Sequence, residues 1–176
     1  RSKTPRTAPT RPGSTPATVI TLMTDSIPAG TPYVLFVDDD PDNLTVWEMA
    51  CQDEFPVLTA ENADDALALF ETNDIGVVLA DQRMPGKTGV ELLATIRERH
   101  PDTERMLITA YSDLEAAVQA INRGQVARYL RKPWRQEELK VVIREGLEVV
   151  RMRRHIRHLE RRLTATERIY ALGISA

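Results

Sequence analysis

The stretch Tyr33-Val34-Leu35-Phe36-Val37-Asp38-Asp39-Asp40 decides the fold. Five consecutive residues that are apolar or aromatic read as a strand buried on both faces, the kind found in a parallel sheet, and the three acidic residues stand where such a strand delivers side chains to a crevice. A second run, Ile75-Gly76-Val77-Val78-Leu79-Ala80, also ends on an aspartate, Asp81. If adjacent strands bring these carboxylates within ~4 Å, each pair repels by roughly 4 kcal/mol at an effective dielectric of about 20. A hard divalent cation relieves that repulsion, and carboxylate oxygens are the ligands Mg²⁺ prefers. The plainer reading, that the acids only cap the next helix, suits Asp40 or Asp42 better than Asp38, Asp39 and Asp81 together.

Working outward, short apolar runs alternate with amphipathic stretches. Strands are expected at Tyr33 to Val37, Pro56 to Ala60, Ile75 to Ala80, Arg105 to Thr109 and Ala127 to Leu130. Helices are expected at Asn43 to Asp53, Ala63 to Glu71, Val90 to His100 and Asp113 to Arg123, the last opened by a Ser112 and Glu115 capping box. Strictly alternating strands and helices imply an α/β, doubly wound, five-stranded parallel sheet whose working edge is at the carboxyl ends of its strands. At those ends the sequence offers Asp38 and Asp39, Asp81, Thr109 and Lys132. A cation site, a carboxylate nucleophile, a hydroxyl and an ammonium together suit phosphoryl transfer to an aspartate.

The segments Val34-Leu35-Phe36-Val37-Asp38-Asp39-Asp40-Pro41, Leu79-Ala80-Asp81-Gln82-Arg83-Met84-Pro85-Gly86, Ile108-Thr109-Ala110-Tyr111 and Tyr129-Leu130-Arg131-Lys132-Pro133-Trp134 resemble the receiver domain of two-component response regulators. The resemblance runs from about Tyr33 to Leu147 and implies a flavodoxin-like receiver fold. It implies that Asp81 is the phosphoacceptor. It also implies that Asp38, Asp39, Asp81 and the backbone carbonyl of Arg83 hold Mg²⁺, and that Thr109 and Lys132 contact the phosphoryl oxygens. Tyr129 matches the family's switch aromatic, and Lys132-Pro133 its cis peptide. Arg83 and Tyr111 are placed to shield the phosphoryl group and tune its lifetime. The implied function is a phosphorelay signalling module, self-catalysed on Asp81 and otherwise not an enzyme, that takes its phosphoryl group from a histidine kinase or phosphotransfer protein. The acidic triplet after a strand also resembles the start of haloacid-dehalogenase-like phosphatases, a reading that leaves Asp81-Gln82-Arg83-Met84-Pro85-Gly86 without a role.

The remaining sequence divides at residues 32 and 147. Residues 1–32 are rich in proline and threonine and read as a disordered arm, within which Met23 is a candidate start. Residues 33–147 are the receiver, and 148–176 a dimerisation helix or linker. In that tail Val149, Met152, Ile156, Leu159 and Leu163 alternate steps of three and four and form a coiled-coil seam, continued more weakly by Thr166, Tyr170 and Gly173. A parallel homodimer is expected, with Glu148 facing Arg153, His155 facing Glu160 and Arg162 facing Glu167 across it. The tail's arginines then form a solvated outer face. Gly146 is the soft point of the helix leading into it. Residues 164–176 resemble the run that precedes the phosphoacceptor helix of sensor histidine kinases. The parent is thus either a receiver-containing kinase or a self-contained response regulator with a dimerising tail.

With 176 residues, 42% hydrophobic, the chain supports one packed domain with appendages. A net charge of -3 gives no reason to expect nucleic acid. A single cysteine, Cys51, reads as a buried thiol in a reducing cytoplasm. No apolar run reaches the ~20 residues that span a bilayer. His155 and His158, without further ligands, do not make a metal site.

Overall fold

The computed structural model describes residues 27–110, 114–122 and 126–171. Most of the amino-terminal arm, Tyr111, Ser112 of the expected capping box and Gly173 lie outside these residues, as do the side chains of Thr166 and Tyr170. In chain order the elements are β1 (Tyr33–Val37), α1 (Pro41–Cys51), β2 (Val57–Ala60), α2 (Ala63–Phe70), β3 (Ile75–Asp81), α3 (Gly89–Arg99), β4 (Glu104–Thr109), α4 (Leu114–Asn122), β5 (Arg128–Arg131) and α5 (Gln136–Ala171).

All strand pairs are parallel, in the order β2-β1-β3-β4-β5. The chain moves from β1 outward to β2, then crosses back over β1 to β3. The connections leaving β1 and β3 therefore diverge to opposite faces and open a crevice at their carboxyl ends. The register sets Val37 beside Ala80, so the residues that follow each, Asp38 and Asp81, reach that crevice together.

Two apolar layers cover the sheet. On one face Leu35, Val78, Ala80 and Leu107 pack with Ala66, Leu69, Leu92 and Ile96 of α2 and α3. On the other, Val34, Phe36, Val77 and Met106 pack with Leu44 and Trp47 of α1 and Leu139 and Ile143 of α5. Trp47 stands edge-on between Phe36, at a centroid distance of 4.6 Å, and Trp134, at 5.2 Å. Such edge-to-face pairs add about 0.5–1.5 kcal/mol each beyond the area they bury.

Local chemistry accounts for the small displacements of element ends. Helix α1 begins at Pro41, two residues ahead of the expected Asn43, because Asp40 caps it through Asp42 N–H at 3.0 Å and proline suits the first helical position. Helix α3 is opened by a capping box of Thr88 and Glu91. Gly146, expected to be a soft point, is a close-packing residue instead. A Cβ there would lie 2.6 Å from Met106 Cε, the flexible end of its side chain, and 3.2 Å from Val77 Cγ2, so α5 lies close on β3 and β4 at this position.

Helix α5 runs through the expected boundary at residue 147 without a break. Val150 is buried, whereas Met152, Ile156, Leu159 and Leu163 are 43–63% exposed. Arg153 and Glu148, expected to face each other across a dimer, both have partners within the single chain. Arg153 bonds Glu104 of its own receiver at 2.7 Å, and Glu148 bonds Arg151 one turn along the same helix at 2.7 Å. The arginines are not all a solvated face either, because Arg154 and Arg157 also turn back to the receiver, on Asp74 and Asp102. The phase of the helix explains it, since these residues share the side of Val150 and meet acids on the underside of the sheet.

Gly89 opens α3 directly beneath the phosphoacceptor candidate, and a Cβ there would stand 2.3 Å from the backbone oxygen of Asp81. Backbone cannot yield as a flexible side chain does. Gly89→Ala is expected to lower stability by about 1–3 kcal/mol, as overpacked sites do, measured by urea denaturation.

Candidate functional site

A cavity of about 330 Å³ opens at the carboxyl ends of β1 and β3, lined by Asp38, Asp39, Asp40, Asn43, Asp81, Gln82, Arg83, Ala110 and Lys132. The acids in it differ in role. Asp38 and Asp81 are buried and Asp39 is exposed. Asp40 spends its carboxylate on the α1 cap.

Asp38 is held from several sides. Its Oδ1 accepts from the backbone N–H of Asp40 at 3.0 Å, and Asn43 Nδ2 reaches both its oxygens at 3.1 Å. Asp81 Oδ2 accepts from the backbone N–H of Arg83 at 2.7 Å, which fixes the rotamer and leaves Oδ1 facing the cavity. Lys132 Nζ lies between the two, 2.5 Å from Asp81 Oδ1 and 3.2 Å from Asp38 Oδ2. Burial opposes the charge of Lys132, yet the hydrogen bond and charge of Asp81, then those of Asp38, outweigh it and raise its pKa above the ordinary lysine value. Its stabilising contribution is therefore complete below the ordinary lysine pKa and fades only as pH climbs through the raised one. Around neutrality the ammonium is fully charged.

Thr109 ends β4, one strand from Asp81, and is completely buried. Its hydroxyl donates to the carbonyl oxygen of Ala110 at 3.2 Å, and the residue does not contribute to the cavity lining. Tyr129 on β5 is paired with Leu107 and is 39% exposed. The Lys132-Pro133 peptide is cis. Thus Asp38, Asp39, Asp81, Arg83 and Lys132 share one cavity, while Thr109 and Tyr129 stand beside it on the neighbouring strands.

Asn43 and Gln82 line the cavity and were not singled out from the sequence. Asn43 lies in the first turn of α1, and a polar residue facing back over the acidic triplet was the available signal. Gln82 Oε1 accepts from Val90 N–H at 3.3 Å and ties the loop after β3 to α3.

The donor set suits a hard divalent ion, since the carboxylates of Asp38, Asp39 and Asp81 and the loop at Arg83 border one space. Among the described residues no three His, Cys, Asp or Glu side chains stand grouped closely enough to hold an ion as they are. Lys132 takes the position between Asp38 and Asp81.

A family model, the response regulator receiver domain, matches residues 34–144. The chain belongs to that family. The receiver is 39% identical over 115 residues to the hydrogenase transcriptional regulatory protein HoxA of Cupriavidus necator, covering 65% of this chain and 24% of that protein. It is 36% identical over 115 residues to the DNA-binding transcriptional regulator NtrC of Escherichia coli, covering 65% and 24%. The chain thus spans about a quarter of the length of these curated relatives. Among solved structures, an adenylate cyclase from Rhodopirellula baltica superposes with a TM-score of 0.72 at 31% identity, over 74% of this chain and 98% of that one. A response regulator receiver domain protein from Clostridium thermocellum gives 0.65 at 28% identity, over 69% and 98%. The receiver assignment displaces the haloacid-dehalogenase alternative. Among the described residues no helix is long and apolar enough to cross a membrane.

Lys132→Met would leave two buried carboxylates facing each other. The expected loss is about 1–3 kcal/mol, below that of a fully buried pair because Lys132 is partly exposed. Adding Asp38→Asn should recover part of it, and a urea-denaturation double-mutant cycle measures the coupling.

Proposed function

We propose that this receiver accepts a phosphoryl group on Asp81 from a histidine kinase or phosphotransfer protein and signals through its carboxyl-terminal helix. The observation that carries the reading is Asp81 itself, with one oxygen tied down by Arg83 N–H and the other presented to the cavity beside Lys132. Asp81 Oδ1 attacks phosphorus, the bond from phosphorus to the donor's nitrogen or oxygen breaks, and an acyl phosphate results. Lys132 is already within ion-pair distance of the attacking oxygen and, released from Asp38, follows the charge onto the phosphoryl oxygens. Asp38, Asp39, Asp81 and the Arg83 carbonyl would hold Mg²⁺, which neutralises charge on the transferring group when bound. Thr109 gives up its bond to Ala110 to donate to the phosphoryl group, and Tyr129 turns inward into the space that is vacated. The chain performs this transfer on itself and is otherwise not an enzyme.

The relatives are named as transcriptional regulators, which favours a response regulator with a dimerising tail over a receiver-containing kinase as the parent. Of the kinase-like segment 164–176, residues 172–176 and the side chains of residues 166–171 lie outside the described residues. In the proposed homodimer Val149, Met152, Ile156, Leu159 and Leu163 form the seam of a parallel coil. The exposure of the last four in the single chain supports this, because such a stripe is unfavourable to leave in water.

Asp81→Asn is expected to remove labelling by acetyl phosphate with Mg²⁺ down to background while leaving the thermal transition in place. Label retained at the wild-type rate, or found on Asp38, contradicts the assignment. Replacing both Ile156 and Leu159 by Lys is expected to give a monomer in sedimentation. A surviving dimer would move the interface onto the receiver.

A further inference from the structure

The tail's arginines meet carboxylates drawn from separate parts of the receiver's underside. Arg154 grips Asp74, just before β3, with two bonds of 2.8 and 2.6 Å in the fork geometry that fixes orientation as well as distance. Arg153 bonds Glu104, the first residue of β4, at 2.7 Å. Arg157 bonds Asp102 in the turn between α3 and β4. Glu104 is nearly solvent-free, with 4% of its side chain exposed, and the other oxygen of Asp102 is buried without a hydrogen-bond partner. Removing Arg153 and Arg157 would take a charged partner from the shielded Glu104 and from Asp102, a larger penalty than an exposed ion pair carries, whereas Asp74, 60% exposed, would lose chiefly the fork that fixes orientation.

Higher on α5, Gln136 Nε2 bonds the Ala50 carbonyl at 3.0 Å, Lys140 bonds Asp53 at 2.9 Å and Arg144 bonds Glu54 at 2.8 Å. The helix is therefore fastened near its start, at the Gly146 contact and again beyond the edge of the sheet. At 3.6 residues per turn, Arg153, Arg154 and Arg157 centre roughly 140° around the helix from Met152, Ile156, Leu159 and Leu163. The two faces do not compete for the same space.

We infer that Arg153, Arg154 and Arg157 form an intramolecular clamp that makes the tail a rigid spoke of the receiver and fixes which way its apolar face points. Strand β4 carries a clamp carboxylate, Glu104, at its amino end and Thr109 at its carboxyl end, so the element bearing the switch hydroxyl also holds the tail. The clamp lies within one chain and needs no second copy. Its consequence for output, that the two receivers of a dimer hold one fixed arrangement about their coil, rests on the dimer proposed above.

The test uses spin labels on cysteines replacing Glu71 and Arg161, both exposed, in protein diluted with excess unlabelled chain so that only intrachain distances are read. Native Cys51 is buried and its thiol is pushed up to about 12, so it labels poorly. One narrow distance distribution is expected for the parent, and R153Q/R154Q/R157Q should broaden it several-fold. Should that variant fail to fold, Asp74→Asn with Glu104→Gln breaks the clamp from the receiver side and should broaden it equally. A broad distribution in the parent, or an unchanged narrow one in a folded clamp variant, overturns the inference. Sedimentation of the parent separates the two ideas: a monomer with a narrow distribution keeps the clamp and removes the coil.

Discussion

Two buried carboxylates at the ends of adjacent strands are the constraint around which the rest is arranged. Asp38 and Asp81 are brought together by the β1–β3 register, and at ~4 Å their repulsion would amount to roughly 4 kcal/mol at an effective dielectric of about 20. The fold offsets this with donors. Asn43 and a backbone N–H hold Asp38, the Arg83 N–H holds Asp81, and Lys132 bridges the pair from the far side of the sheet. Each donor leaves part of the negative potential directed into the cavity. Lys132, within ion-pair distance of both carboxylates, holds the pair together.

Packing beneath the site holds these groups in register. Gly89 lets α3 start against the Asp81 backbone, and α5 lies close on β3 and β4 at Gly146. Because close-packed interiors resist gradual deformation, these contacts hold the strands that carry the site residues in fixed register. The edge-to-face run of Phe36, Trp47 and Trp134 likewise ties the loop that carries Lys132 to the core under β1.

Helix α5 has two jobs on two faces. Its inner face completes the core through Leu139, Ile143 and Val150 and then grips the underside of the receiver through arginines. Its outer face carries the apolar stripe. A helix used this way extends the rigid body of the receiver into whatever it contacts, with no hinge between domain and tail.

The sequence by itself determined the alternation of buried strands and helices, and with it the parallel sheet. It also determined the placement of Asp38, Asp39, Asp81, Thr109 and Lys132 at strand ends, because apolar runs closed by polar residues reflect burial and period, which are local properties. The apolar steps of the tail were legible for the same reason. Only the tertiary structure decided which acids pair with which cations. The partners of Arg153, Arg154 and Arg157 lie 49, 80 and 55 residues away in the chain, and charge alone does not distinguish a solvated arginine from a clamped one. Gly146 looked like a weak point because propensity is read along a helix, whereas its role depends on Met106 and Val77 across from it. Asn43 was passed over for a similar reason: its two bonds to Asp38 exist only once α1 has folded back over the end of β1.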